Sequence, residues 1–360
     1  MQWKQMDWSF MIDPFNLLNL RVVPVTLAID AHGIIRVVHP LLDRVADFEE
    51  LFVNTTFDTP QEQLKSELEP LVNQMQSDEA VKLALWEDAS HLDEALSIAE
   101  KALSQQATDR THFNLGVIYR MRYDSLYRQA GDFAKAVNHW TAALNLDPNN
   151  YIWRRRIQQY GPRLDKPYPF YDWIPEAREV ILQRGETPLT LTVEPNGAEF
   201  ATPMSDFSSN GNNQTDPDPE KRIYQDDAPL IDVEMTIVPP HVTAGDSVRV
   251  HVILRPREVA HWNNEVDEIL LWVNTPDGWI VGENLLTVPN PQQAESQETR
   301  HFEFEVRTPQ NAKSSEMMLS TYALYYVCED ENGVCLYRRR DIEIPIRVNV
   351  ADSHRLRDGG

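Results

Sequence analysis

With 360 residues and a hydrophobic content of 42%, the chain is too long for one ordinary core, and two or three domains are expected. Its formal net charge of −23, relieved only by the short basic runs Arg154-Arg155-Arg156 and Arg338-Arg339-Arg340, excludes the positive footprint that nucleic-acid binding needs. The chain holds no apolar run of about 18 residues for a transmembrane helix, and Met1-Gln2-Trp3-Lys4-Gln5-Met6-Asp7 lacks the cationic stretch and apolar core of a signal peptide.

Residues 1–57 read as part of a domain. Arg21-Val22-Val23-Pro24-Val25-Thr26-Leu27-Ala28-Ile29-Asp30 is a strand with an early proline. Ala31-His32-Gly33 is a turn, Ile34-Ile35-Arg36-Val37-Val38 a second strand, and a short helix is expected from residue 47. Proline cannot donate to a ladder, so it is disfavoured at the head of an interior strand. This order resembles the C-terminal half of a thioredoxin-like domain. The resemblance gives Pro24 the role of the cis-proline beside the redox site. The first half of such a fold carries the cysteine motif, and no cysteine precedes Pro24. The resemblance therefore implies a chain that starts inside a longer protein, whose missing part would carry that motif and an export signal.

Residues 61–160 read as helices. Segments 93–103 and 134–144 superpose, with Ala95 matching Ala136, Ala102 matching Ala143 and Leu103 matching Leu144. Phe113-Asn114-Leu115-Gly116-Val117-Ile118-Tyr119 precedes the second copy, and Leu146-Asp147-Pro148-Asn149 follows it. Small residues at Gly116, Ala136 and Ala143 let paired helices approach, and Pro148 closes the unit. The pattern resembles a tetratricopeptide repeat, which implies a surface for a protein partner. Against that pattern about eight residues are inserted around 121–128, close to two helical turns, and are expected to extend the helix. Tyr151-Ile152-Trp153-Arg154-Arg155-Arg156-Ile157 is expected to cap the array, with its arginines on a solvated face.

Residues 161–229 form a connector. Lys166-Pro167-Tyr168-Pro169-Phe170-Tyr171-Asp172-Trp173 is aromatic and proline-rich, and residues 205–221 are expected to be a flexible loop. From 230 to 350 the chain alternates as strands do: Ile231, Val233, Met235, Ile237; then Val248, Val250, Val252, Leu254; then Phe302, Phe304, Val306. Short strands split by Pro and Gly turns predict an antiparallel sandwich of immunoglobulin-like type. The whole chain is thus expected to be multidomain α+β.

The two cysteines of the chain lie in its last hairpin, at Tyr326-Val327-Cys328 and Gly333-Val334-Cys335-Leu336. Facing residues of an antiparallel pair have Cα atoms about 4.5–5.5 Å apart, within or near disulfide range. A structural staple, an exchanging pair and two free thiols all remain open. The acidic run Glu329-Asp330-Glu331 disfavours a thiolate at Cys328. This hairpin, with His261-Trp262-Asn263-Asn264-Glu265, resembles the disulfide bond corrector domain, the N-terminal domain of DsbD-type thiol:disulfide interchange proteins. The resemblance implies that Cys328 and Cys335 exchange their disulfide with a thioredoxin-like partner in an extracytoplasmic compartment. The alternative is a non-enzymatic interaction protein with a structural hairpin disulfide. His261 and Glu265, four apart on an expected loop, are a weak metal signal. The ten histidines form no HxxxH or HxH pattern, and no nucleotide, phosphate-loop or hydrolase fingerprint is present, so no metal and no cofactor are expected.

Overall fold

The structure, a computed structural model, describes residues 13–17, 27–30, 35–38, 52, 54–56, 79–86, 88–148, 150–162, 173–188, 214–227, 229–330 and 333–349. It is mixed α+β and divides into two compact units, Ser9–Arg156 and Ile157–Gly360. Pro24, the turn at 31–33 and the aromatic connector at 166–172 lie outside the described residues. No helix among the described residues is long and apolar enough to cross a membrane.

In the first unit, β1 (Leu27–Ile29) pairs antiparallel with β2 (Ile35–Val38), the order expected of that segment. The helices α1 (Glu79–Trp86), α2 (Leu92–Gln105), α3 (Asp109–Tyr123), α4 (Asp132–Leu146) and α5 (Tyr151–Gln158) follow. A reciprocal cap starts α3. Thr108 Oγ1 accepts the Thr111 N–H at 3.1 Å, and Thr111 Oγ1 accepts the Thr108 N–H at 2.8 Å. The matched residues Ala95 in α2 and Ala136 in α4 are both fully buried. A Cβ added at Gly116 would stand 2.5 Å from Trp140 Nε1, so α3 and α4 meet where the residue spacing places them.

Two expectations for this unit need correction. Residues 121–128 do not add two helical turns, because α3 stops at Tyr123. The Asp124 N–H bonds Arg120 O and the Ser125 hydroxyl donates to Arg122 O at 2.8 Å, closing the last turn. Gly131, at φ +81°, then leads into α4. Nor do the three arginines share one solvated face. Arg154 is exposed, but the Arg156 guanidinium lies 5.2 Å from the Trp140 ring centre and 5.8 Å from that of Phe113.

His112 on α3 and His139 on α4 meet Nδ1 to Nδ1 at 3.0 Å, with Tyr119 stacked on His139. Burial, then the neighbouring His112, pushes His139 down to about 4, although Glu100 opposes this; burial also lowers His112. Below the ordinary histidine value of about 6.5 the unfolded chain takes up protons that these rings refuse. Stability is therefore full above about pH 6.5 and declines as pH falls towards 4. We expect a lower urea midpoint for the helical transition at pH 5 than at pH 7.5, and a shallower dependence in His139→Gln. Equal slopes in the two proteins would refute the assignment.

The second unit holds α6 (Trp173–Gln183) and two sheets. Its strands are β3 (Ile231–Val238), β4 (Val242–Thr243), β5 (Ser247–Pro256), β6 (Ala260–Asn263), β7 (Ile269–Val273), β8 (Ile280–Val281), β9 (Leu285–Val288), β10 (Glu295–Ser296), β11 (Arg300–Arg307), β12 (Ser315–Glu329) and β13 (Cys335–Asn349). Among the described residues the larger sheet runs β10-β6-β12-β13-β4, with β7 on β12 and β9 on β7; the smaller runs β3-β5-β11-β8. Among the described residues these strands pair antiparallel with one another except β13 with β4, and a parallel bridge joins Gln225 to Arg339. Strand alternation sends Val248, Val250, Val252 and Leu254 to one face, where they join Phe302, Phe304 and Val306. Trp262, Leu271, Tyr325, Val327 and Ile344 of the larger sheet complete the same core.

From residue 214 onward the expected flexible loop is instead pinned to the larger sheet. Asp218 is buried, and its carboxylate accepts Arg339 Nη1 at 2.9 Å and the Arg222 N–H at 2.8 Å. The Asp218 N–H donates to the Tyr322 hydroxyl at 3.0 Å, and the Arg339 guanidinium lies 3.6 Å from the Tyr322 ring centre. A buried ion pair, with the Asp226 carboxylate bonded by the Tyr325 hydroxyl at 2.8 Å, ties down a segment whose composition reads as linker.

Candidate functional site

The long hairpin β12–β13 runs from Ser315 paired with Val348 to Cys328 paired with Cys335, so the cysteines flank its turn. The Glu329 N–H bonds Val334 O at 3.1 Å, which makes the cysteines a non-hydrogen-bonded pair, the closer of the two antiparallel kinds. Their Cα atoms are 3.9 Å apart, and the sulfurs are joined at 2.05 Å. Of the three readings open from the residues, this bond is that of the staple and the exchanging pair, not of two free thiols. The two halves differ in access: Cys328 is 2% exposed, whereas Cys335 is exposed.

The expected loop around His261 is a strand. On β6, His261 is the register partner of Cys328, so His261, Cys328 and Cys335 form one row across three strands on one face. His261 Nδ1 lies 2.5 Å from Asp330 Oδ1, and its Nε2 lies 3.6 Å from Glu295 Oε1. Two carboxylates thus flank the imidazole beside the buried sulfur. Asp330, one of the three acids expected to oppose a thiolate at Cys328, is itself held against the His261 ring. Glu265 does not join His261; its N–H bonds Asn263 Oδ1 at 3.1 Å in a local turn. Next along the same face, Tyr326 and Tyr337 stack at 4.4 Å, and burial pushes the Tyr337 phenol up. Arg339 faces Asp218 and Asp341 rather than the cysteines.

A second cluster, which the sequence motifs missed, lies on the outer face of the smaller sheet. Glu303 on β11 is the register partner of His251 on β5, and His301 precedes Glu303 by two. His251 Nδ1 lies 3.2 Å from His301 Nε2 and 3.5 Å from a Glu303 carboxylate oxygen, and His251 Nε2 lies 2.8 Å from Tyr160 O. Burial raises the Glu303 carboxyl, but the hydrogen bond to His251 and the charges of His251, His301 and Arg249 outweigh it and hold it at about 2. The spacing His301-Phe302-Glu303, with alternate residues on one strand face, was the legible half of this signal.

No protein family and no curated protein matches the chain. A protein of unknown function from Porphyromonas gingivalis W83 is 11% identical over 34% of this chain and 49% of its own length, with a TM-score of 0.21. AvmM, which catalyses macrocyclization in alchivemycin A biosynthesis, is 11% identical over 34% of this chain and 91% of its own, with a TM-score of 0.20. Spo0M, a sporulation control protein from Bacillus subtilis, is 13% identical over 33% of this chain and 49% of its own, at a TM-score of 0.17. The chain therefore spans about half the length of the first and third of these proteins. Similarities at this level carry no argument about function.

Proposed function

We propose that this protein takes part in thiol–disulfide exchange outside the cytoplasm, with Cys328–Cys335 as its redox pair. This reading takes the two-sheet unit as an immunoglobulin-like relative of the disulfide bond corrector domain. It takes α3–α4 as a tetratricopeptide-like pair that holds a protein partner, and β1–β2 as part of a thioredoxin-like segment. The observation that carries it is the unequal exposure of the two sulfurs' residues, Cys335 at the surface and Cys328 buried beside His261. A partner thiolate attacks Cys335 Sγ and forms a mixed disulfide with it. The Cys328 Sγ leaves with the bonding electron pair, next to the imidazole. The partner's second thiolate then attacks its own sulfur in the mixed disulfide and releases Cys335 as a thiolate. The partner dithiol is oxidised and the hairpin reduced, and the same steps run in reverse.

The second reading, an interaction protein with a structural staple, is favoured by the burial of Cys328. A closed loop of about eight residues stabilises by roughly 2.5 kcal/mol in the chain-entropy account. Equilibration in graded dithiol buffers separates the two. An exchanging pair is expected near −200 mV, and a value below about −300 mV would assign the pair to the staple. His261→Ala should slow reduction by a dithiol; an unchanged rate would remove the imidazole from the mechanism.

A further inference from the structure

We infer that His251, His301 and Glu303 form a binding site for a single zinc-class divalent metal ion. The three ligand atoms make a closed triangle. His251 Nδ1 to His301 Nε2 is 3.2 Å, His251 Nδ1 to Glu303 Oε1 is 3.5 Å, and His301 Nε2 to Glu303 Oε1 is 3.7 Å. All three atoms lie within 4.8 Å of one another. A triangle with these sides has a circumradius of about 2.0 Å, so an ion about 2.1 Å from each atom sits just off their plane, at ordinary zinc–nitrogen and zinc–oxygen distances. The side chains need no rearrangement to reach those bond lengths.

The surroundings set each ligand atom in the required state. His251 Nε2 lies 2.8 Å from the Tyr160 carbonyl oxygen, which only accepts, so Nε2 carries the proton and Nδ1 presents its lone pair to the triangle. An imidazole whose second nitrogen donates to a carbonyl is the usual arrangement of a metal-bound histidine. Glu303 is divided in the same way. Its Oε2 lies 3.7 Å from Arg249 Nη1, while Arg249 Nη2 holds Glu305 Oε1 at 2.9 Å, leaving Glu303 Oε1 turned to the two rings.

The donor set of two imidazoles and one carboxylate selects a borderline metal such as zinc or cobalt over calcium or magnesium, which prefer oxygen shells. Access is one-sided. The His251 side chain is 1% exposed and closes the base, whereas those of His301 and Glu303 are 29% and 20% exposed. Three protein ligands with a solvent-facing side leave the fourth position to water, the pattern of an open rather than a sealed structural site.

The full chain, stripped with chelator and dialysed, is titrated with Zn²⁺ and with Co²⁺. The expected result is one saturable equivalent of either ion and the visible absorption of four-coordinate Co²⁺. His301→Ala and Glu303→Gln should each weaken binding by about tenfold or more. His241→Ala, at an exposed histidine outside the triangle, should leave binding unchanged. If His301→Ala loses its cooperative unfolding transition, His301→Gln, which keeps a polar side chain there, is read instead. Absence of saturable binding overturns the proposal, as does an affinity equal to wild type in the folded Glu303→Gln and His301 variants. In the latter case the ion resides on the abundant surface carboxylates.

Discussion

Asp132→Ala should destabilise the helical unit by roughly 3–5 kcal/mol, the range seen when one member of a buried ion pair is removed. The Asp132 side chain is fully buried and that of Arg122 is 6% exposed. Arg122 Nε and Nη2 donate to the two Asp132 carboxylate oxygens at 3.0 and 2.6 Å, a bidentate fork. The Gln129 N–H adds a third bond to this carboxylate at 2.9 Å, fixing the loop that replaces the expected helix extension. Truncating Asp132 leaves a guanidinium in a dry site with Asp93, 61% exposed, as its remaining carboxylate partner at 2.5 Å. Asp93→Ala should cost no more than about 1 kcal/mol, because water already screens that contact. Urea unfolding followed by the helical signal measures both. Similar losses in the two variants would show that the buried fork is not the anchor of the α3–α4 connection.

The second large effect is at Gly116. Its missing side chain is the space that the Trp140 ring occupies: an added Cβ would meet Nε1 at 2.5 Å and Cδ1 at 2.6 Å. Trp140 is itself fully buried, with Arg156 over its ring, so the indole has little room to yield. Gly116→Leu should cost roughly 1–3 kcal/mol by overpacking and part α3 from α4. The smaller Gly116→Ala already places the offending atom, so it should also lower the midpoint despite alanine's better helix propensity. A midpoint unchanged or raised in Gly116→Ala would mean that the two helices do not meet at this point.

The features legible in the chain are those written in local period and spacing. Val248, Val250, Val252 and Leu254 alternate, and the structure puts all four in one core. The hairpin around Cys328 and Cys335 was readable because its acidic turn is short and its flanks alternate. That reading places the cysteines opposite each other, as they are found. Gly116 was readable because a small residue at that place in a matched helix pair has a packing reason. Where local chemistry competes with period, reading fails. The helix was expected to run on past residue 123, yet Asp124 and Ser125 close it with bonds to the last turn. His261 looked like a loop residue because its asparagine neighbours suit turns, whereas the pairing of β6 with β12 makes it strand.

By itself the sequence determined the class of the protein, helices followed by a β-rich half with one cysteine hairpin, because such elements are set by alternation, helical repeat and turn residues within a few positions. Tertiary structure alone decided which distant groups meet. His251 and His301 are fifty positions apart and come to 3.2 Å because β11 pairs with β5 in one register; a one-residue slip would turn every outer-face side chain inward. Asp218 and Arg339 convert a linker-like segment into part of the sheet's cover across an even longer separation. Register and long-range ion pairing come from the packing of whole elements, and no window of neighbouring residues contains them.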